Sequence, residues 1–121
     1  MKIQDFINKR NKYKIDYTYQ RPNKVWSNQD NQCLIDTILR GEPLPLFFLN
    51  QKIENGNIVF YIVDGQQRLN CIREFYENKI KLSAKFSGVV YEGKTFNGDN
   101  AIKEEDQDKF LNYDLNFFIM E

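Results

Sequence analysis

Ile3, Phe6 and Ile7 share one face of a helix near residues 2–9, and Tyr13, Ile15, Tyr17 and Tyr19 then alternate with Lys14, Asp16 and Thr18. That period of two predicts a strand. Arg21-Pro22-Asn23 ends it, because proline restricts the residue before it and cannot donate to a ladder. Ser27 with Asp30 fits a capping box for a helix over about 28–40, with Leu34, Ile35, Ile38 and Leu39 as its apolar face and Gly41 as its stop. Glu42-Pro43-Leu44-Pro45 reads as a rigid extended connector. Two apolar runs, 46–49 and 58–63, flank the turn residues Glu54-Asn55-Gly56-Asn57 and pair antiparallel. Leu69, Ile72, Phe75 and Tyr76, spaced by three, three and one, give the next helix a stripe facing the core.

Beyond Asn78 the pattern weakens. Ile80, Leu82 and Phe86 predict a short strand and 88–91 another, with a flexible loop over 92–101. Residues 103–113 read as a helix whose acids cluster in the first turn, where the helix dipole favours them. Residues 115–120 read as a buried strand, so the chain is expected to stop inside a larger domain. There is no internal repeat and no low-complexity segment.

A length of 121 residues sets one domain, 1–121, and 41% hydrophobic residues with ten Phe, seven Tyr and one Trp supply its core. No apolar run approaches the roughly 20 residues that span a bilayer, and the N-terminus has no signal-peptide segment, so a cytoplasmic location is expected. Cys33 and Cys71 fall in predicted helices without a Cys-x-x-Cys pair and read as buried thiols. The absence of histidine removes Ser-His-Asp and Cys-His catalysis and His-metal nuclease sites, leaving carboxylates, amides, Lys and Arg for any chemistry. Net charge is zero, yet residues 1–24 carry seven Lys or Arg against two Asp, and residues 98–121 carry seven acids against two Lys. Two solvated faces lying near each other account for this more simply than a nucleic-acid stripe, and an overall neutral chain argues against strong nonspecific DNA binding.

The chemistry concentrates at Asp64-Gly65-Gln66-Gln67-Arg68, between the strand 58–63 and the helix that begins near Leu69. A strand that turns directly into a helix leaves backbone N–H groups at the helix start, where an anion binds. Arg68 in the first turn can add a bidentate phosphate contact, and Asp64 can hold a cation or orient a water. A plain reading stands beside this one: Asp64 and Gln67 also fit a capping box, with Gly65 as a turn residue only. Trp26, just before an apolar helix face, reads as core rather than a base-stacking platform. Arg21 reads equally as a surface ion-pair residue or a site residue.

The ordered set Tyr19-Gln20-Arg21, Trp26, residues 34–45 (LIDTILRGEPLP) and residues 63–69 (VDGQQRL) resembles domain-of-unknown-function family 262, the N-terminal domain of GmrSD-type modification-dependent restriction systems. The resemblance covers residues 13 to about 120. It implies an α+β, ParB/sulfiredoxin-like fold: a small mixed sheet with packed helices, here incomplete at its C-terminal end, where the family's Phe-x-Arg-x-Asn-like block is not found before Glu121. It further implies a nucleoside triphosphate site with Mg²⁺, in which Asp64, Gly65, Gln66, Gln67 and Arg68 form the nucleotide-binding and hydrolysis motif. Asp64 and Arg68 are then its catalytic residues, Asp64 its metal ligand, and Arg21 its first arginine motif. Nucleic-acid cleavage in such systems comes from a separate histidine-containing nuclease domain, so DNA is reached only indirectly. An independent nuclease is not supported, and association with a second copy stays open. The alternative is a noncatalytic protein- or DNA-interaction module that keeps the fold without turnover.

Overall fold

The computed structural model describes residues 1–15 and 25–121. The expected strand beyond Ile15 and its break at 21–23 lie outside the described residues. The chain begins with helix α1 (Ile3–Asn8), which buries Ile3, Phe6 and Ile7. A 3-10 turn at Arg10–Lys12 leads to strand β1 (Tyr13–Ile15). Helix α2 (Asn28–Leu39) follows Ser27 in a complete capping box: Ser27 Oγ accepts the Asp30 N–H at 3.2 Å, and Asp30 Oδ2 accepts the Ser27 N–H at 2.9 Å. Its end is a Schellman motif, with Gly41 at φ 73° donating to Ile38 and Glu42 donating to Thr37.

Strands β2 (Phe47–Glu54) and β3 (Asn57–Asp64) form the expected antiparallel hairpin, longer than the apolar runs alone indicate. Asn55 and Gly56 both have positive φ, 53° and 79°, the pair of left-handed residues that a tight two-residue hairpin requires. An irregularity between Phe48 and Leu49 puts Phe48 opposite Asp64 while Leu49 lies opposite Ile62.

Helix α3 (Gln66–Tyr76) starts one residue after β3 ends. Helices α4 (Ala84–Ser87) and α5 (Glu104–Asn112) precede the last strand, β4 (Phe117–Met120). The sheet has the order β1-β3-β2-β4, with β1 parallel to β3, β4 parallel to β2 and the central pair antiparallel. This is the α+β architecture with a mixed sheet that was expected. Its directions gather the C-terminal ends of β1 and β3 and the N-terminal ends of β2 and β4 at one end of the sheet. Ile15 lies opposite Ile62 there, and Phe47 opposite Phe117.

Several expectations are overturned. The segment 80–91 is not a pair of strands: Ile80 and Leu82 are buried in irregular chain, Ser83 caps α4 through its hydroxyl, and Val89–Tyr91 forms a 3-10 turn. Local side-chain and turn bonds win over a weak apolar alternation. Residues 92–101 do form a loop, in which Thr95 is bonded to Asn100 and Ile102 and Phe96 is buried against Phe75 and Phe110. β4 is an edge strand rather than a buried one, with Phe118, Ile119 and Met120 exposed. Cys33 is exposed on α2, while Cys71 is buried.

The described part of the basic end, residues 1–15, does lie against the acidic end, but through hydrogen bonds to main-chain groups and to the Asn112 amide, whose Oδ1 accepts from Lys2 Nζ at 3.2 Å. Ile3 N–H donates to Tyr113 O at 2.9 Å, and the Met1 amino group donates to Leu115 O at 3.0 Å. Among the described residues Arg10 pairs instead with Glu77, and Lys14 with Glu54. Both pairs are solvated and contribute little to stability.

Candidate functional site

The run of β-branched and aromatic residues in β3 carries the chain to the sheet end and leaves Asp64 exposed as the last strand residue. Gly65 makes the reversal at φ 101° and ψ 12°, a conformation that favours glycine, and Gln66 is already helical. Gly65, not Asp64, is therefore the N-cap of α3, and it has no side chain with which to cap the helix. The expected alternative of an Asp64–Gln67 capping box is not formed, because Asp64 is one residue too early and still bonded in the sheet. The first internal bond of the helix runs from Leu69 N–H to Gly65 O at 3.0 Å. The turn before it carries N–H groups that a helix cannot satisfy internally.

A second reason for glycine at position 65 is space. A β carbon built there would stand 2.4 Å from Phe47 Cδ1 and 3.0 Å from Arg68 Nη2. The main chain of the turn thus lies directly against the first residue of β2.

Arg68 is half-buried and engaged. Its Nη1 donates to Pro45 O at 2.6 Å, its Nη2 donates to Leu46 O at 3.1 Å, and its guanidinium carbon stands 4.1 Å from the centroid of the Phe47 ring. Burial pulls its pKa down and the neighbouring Asp64 carboxylate works in the opposite direction. A guanidinium nonetheless remains cationic at any physiological pH. The two sequence blocks at 34–45 and 63–69 are therefore one physical unit, joined by Arg68. Nothing in the spacing of the sequence indicated Pro45 and Phe47 as neighbours of the loop. The one available signal was that a proline-flanked connector presents main-chain carbonyls without competing N–H groups.

Gln66 and Gln67 are half-buried in the first turn, and Gln67 is engaged in an interaction of its own. Arg21 lies outside the described residues. Ile15 is paired with Ile62, so the chain leaves β1 at the sheet end that carries Asp64. Trp26 packs partly against the core, as expected, and lines a shallow groove of about 420 Å³ with Val25, Asp30, Cys33, Leu34 and Thr37.

Among the described residues no group of three or more His, Cys, Asp or Glu could hold a metal ion. The one buried carboxylate of the described core, Asp106, accepts the Tyr91 hydroxyl at 2.8 Å and fastens the 89–91 turn to α5. No described helix is long and apolar enough to cross a membrane. The arrangement at the sheet end can present main-chain donors, a fixed cation and one exposed carboxylate to a polyanion.

A family model described as "GmrSD restriction endonuclease, N-terminal domain" matches residues 3–120. No curated protein and no solved structure matches the chain.

Proposed function

The chain belongs to the GmrSD restriction endonuclease N-terminal domain family, and from that premise we propose that it is the nucleoside triphosphate-binding module of a modification-dependent restriction system, with residues 64–68 as its phosphate loop. The observation that carries this reading is the passage from β3 into α3 through Gly65 alone, an N-cap residue with no side chain of its own to offer the helix start, and Arg68 fixed beside it. Main-chain N–H groups at the turn and the Arg68 guanidinium stabilise phosphate charge, and phosphoryl transfer needs such positioned donors more than it needs a nucleophile. Histidine is not required. A ParB/sulfiredoxin-like relationship fits this use of a strand–turn–helix.

The residues fit Mg²⁺ of one kind only. Among the described residues the loop offers one exposed carboxylate, Asp64, which suits an ion that arrives on the triphosphate and keeps most of its waters, not an ion caged by protein. Such an ion neutralises phosphate charge when bound. Binding needs the turn and Arg68; turnover further needs Asp64 to orient a water, and cleavage of nucleic acid needs a separate nuclease domain or subunit. Arg21 is the proposed partner of Arg68 at the same phosphates.

A second reading, an interaction module without turnover, is favoured by the internal hydrogen bonds of Arg68. Titration of labelled ATP, GTP and CTP into the folded chain, with and without Mg²⁺, separates the two. The nucleotide reading expects saturable binding of at least one, with the Mg²⁺ enhancement lost in Asp64→Asn while its melting temperature is kept. Absence of saturable binding by all three in a folded sample overturns it.

A further inference from the structure

The connector between α2 and β2 is held to the 64–68 loop by that loop's own charged residue. Pro45 lacks an N–H and has a fixed φ, so the chain sets the direction of its carbonyl. Arg68 donates to that carbonyl at 2.6 Å and to the next one, Leu46 O, at 3.1 Å, and lies over the ring of the third residue, Phe47, at 4.1 Å. Phe47 is itself held on several sides. It is fully buried, its N–H donates to Asn116 O at 2.9 Å, and its ring meets Phe117 with centroids 5.5 Å apart. The far end of the connector is held as well, by Tyr113 Oη donating to Glu42 O at 2.6 Å.

An arginine that is free in water must be ordered before it can grip an anion, and the lost rotamer freedom is subtracted from affinity. Here folding has already done the ordering. A guanidinium carries five N–H donors, so the two carbonyls leave donors for a ligand. We propose that Pro45, Leu46 and Phe47 are positioning residues of the phosphate site: two main-chain carbonyls and one aromatic face fix Arg68 beside the Gly65 turn, so that the terminal phosphates meet a cation already in place. This rests on the nucleotide reading of the loop and adds the 42–47 connector to it.

The test combines a binding probe with a readout that needs no ligand. NMR reports rotation of the Arg68 guanidinium about its C–N bonds, and calorimetry reports the affinity of inorganic tripolyphosphate. In the wild-type chain the rotation is slow; in Phe47→Leu it becomes fast and tripolyphosphate affinity falls about tenfold, the order expected when a partly desolvated cation–π contact is lost. Phe110→Leu, a fully buried change in another part of the core, lowers stability and leaves both readouts unchanged. Arg68→Lys leaves the core intact and keeps the charge but cannot hold two carbonyls and a ring at once, so its affinity also falls about tenfold or more. The proposal is overturned if Phe47→Leu binds as tightly as Phe110→Leu, if Arg68→Lys binds as tightly as wild type, or if the wild-type guanidinium rotates freely. A restrained guanidinium in a wild-type chain that binds neither tripolyphosphate nor any of the three nucleotides overturns the nucleotide reading itself, and the clamp is then structural only.

Discussion

The α carbon of Gly65 lies against the ring of Phe47, so closely that a methyl group at position 65 would stand 2.4 Å from Phe47 Cδ1. At φ 101° the residue is also outside the conformations that an alanine adopts without strain. Gly65→Ala therefore combines backbone strain with overpacking of a fully buried ring, and a loss of roughly 2–4 kcal/mol is expected from urea denaturation. A loss below about 1 kcal/mol would show that the turn adapts and that the close approach is not a constraint.

Arg68→Ala removes two hydrogen bonds to carbonyls and the contact with Phe47. The change is expected to lower stability by about 1–3 kcal/mol, since bonds made by charged groups lie at the upper end of the usual range. An unchanged urea midpoint would show that the clamp contributes nothing to folding. Loss of stability on this substitution is thus no argument against a ligand role, because the same guanidinium serves the fold.

Ser27→Ala deletes the half of the reciprocal cap of α2 that the Ser27 hydroxyl supplies and leaves the Asp30 N–H without its acceptor, and about 1 kcal/mol should be lost. Ser27→Asp, which can accept the same N–H, should recover most of it. Equal midpoints for the Ala and Asp variants would remove the capping account.

Burial, with a smaller contribution from the nearby Asp5 carboxylate, pushes the Tyr13 hydroxyl up to about 12 from 10.0. The folded protein therefore holds this proton more tightly than the unfolded chain. The associated stability is complete below pH 10 and is lost as the pH rises towards 12. Denaturation midpoints measured at pH 9 and pH 11 should fall less steeply in Tyr13→Phe than in wild type. An equal slope in the two proteins would refute the assignment.

The two thiols should separate cleanly in a reaction with a disulfide reagent. Cys33 is exposed and should react in the native state, whereas Cys71 is buried and burial raises its pKa, so it should react only on unfolding. Two native thiols reacting at one rate would contradict the burial of α3 against α2.

The hairpin, the three longer helices and the capped start of α2 were legible in the sequence because each is fixed by neighbours within a few residues. Ser27 reaches only to Asp30, Gly41 closes only the helix before it, and Asn55-Gly56 needs no distant partner. Where local signals were weak, as over 80–91, the apolar alternation misled, since Ser83 and Glu92 offered the backbone closer acceptors.

The strand–Gly–helix form of the 64–68 loop was likewise a property of the sequence. What tertiary structure alone decided was which residue caps α3 and what surrounds Arg68. An irregularity in the β2–β3 register brings Phe48 opposite Asp64 and sets Phe47 under the turn. The Pro45 and Leu46 carbonyls then reach a guanidinium more than twenty residues later in the chain. No periodicity encodes that meeting, because it depends on how two strands slide past each other and not on the spacing of residues within either one.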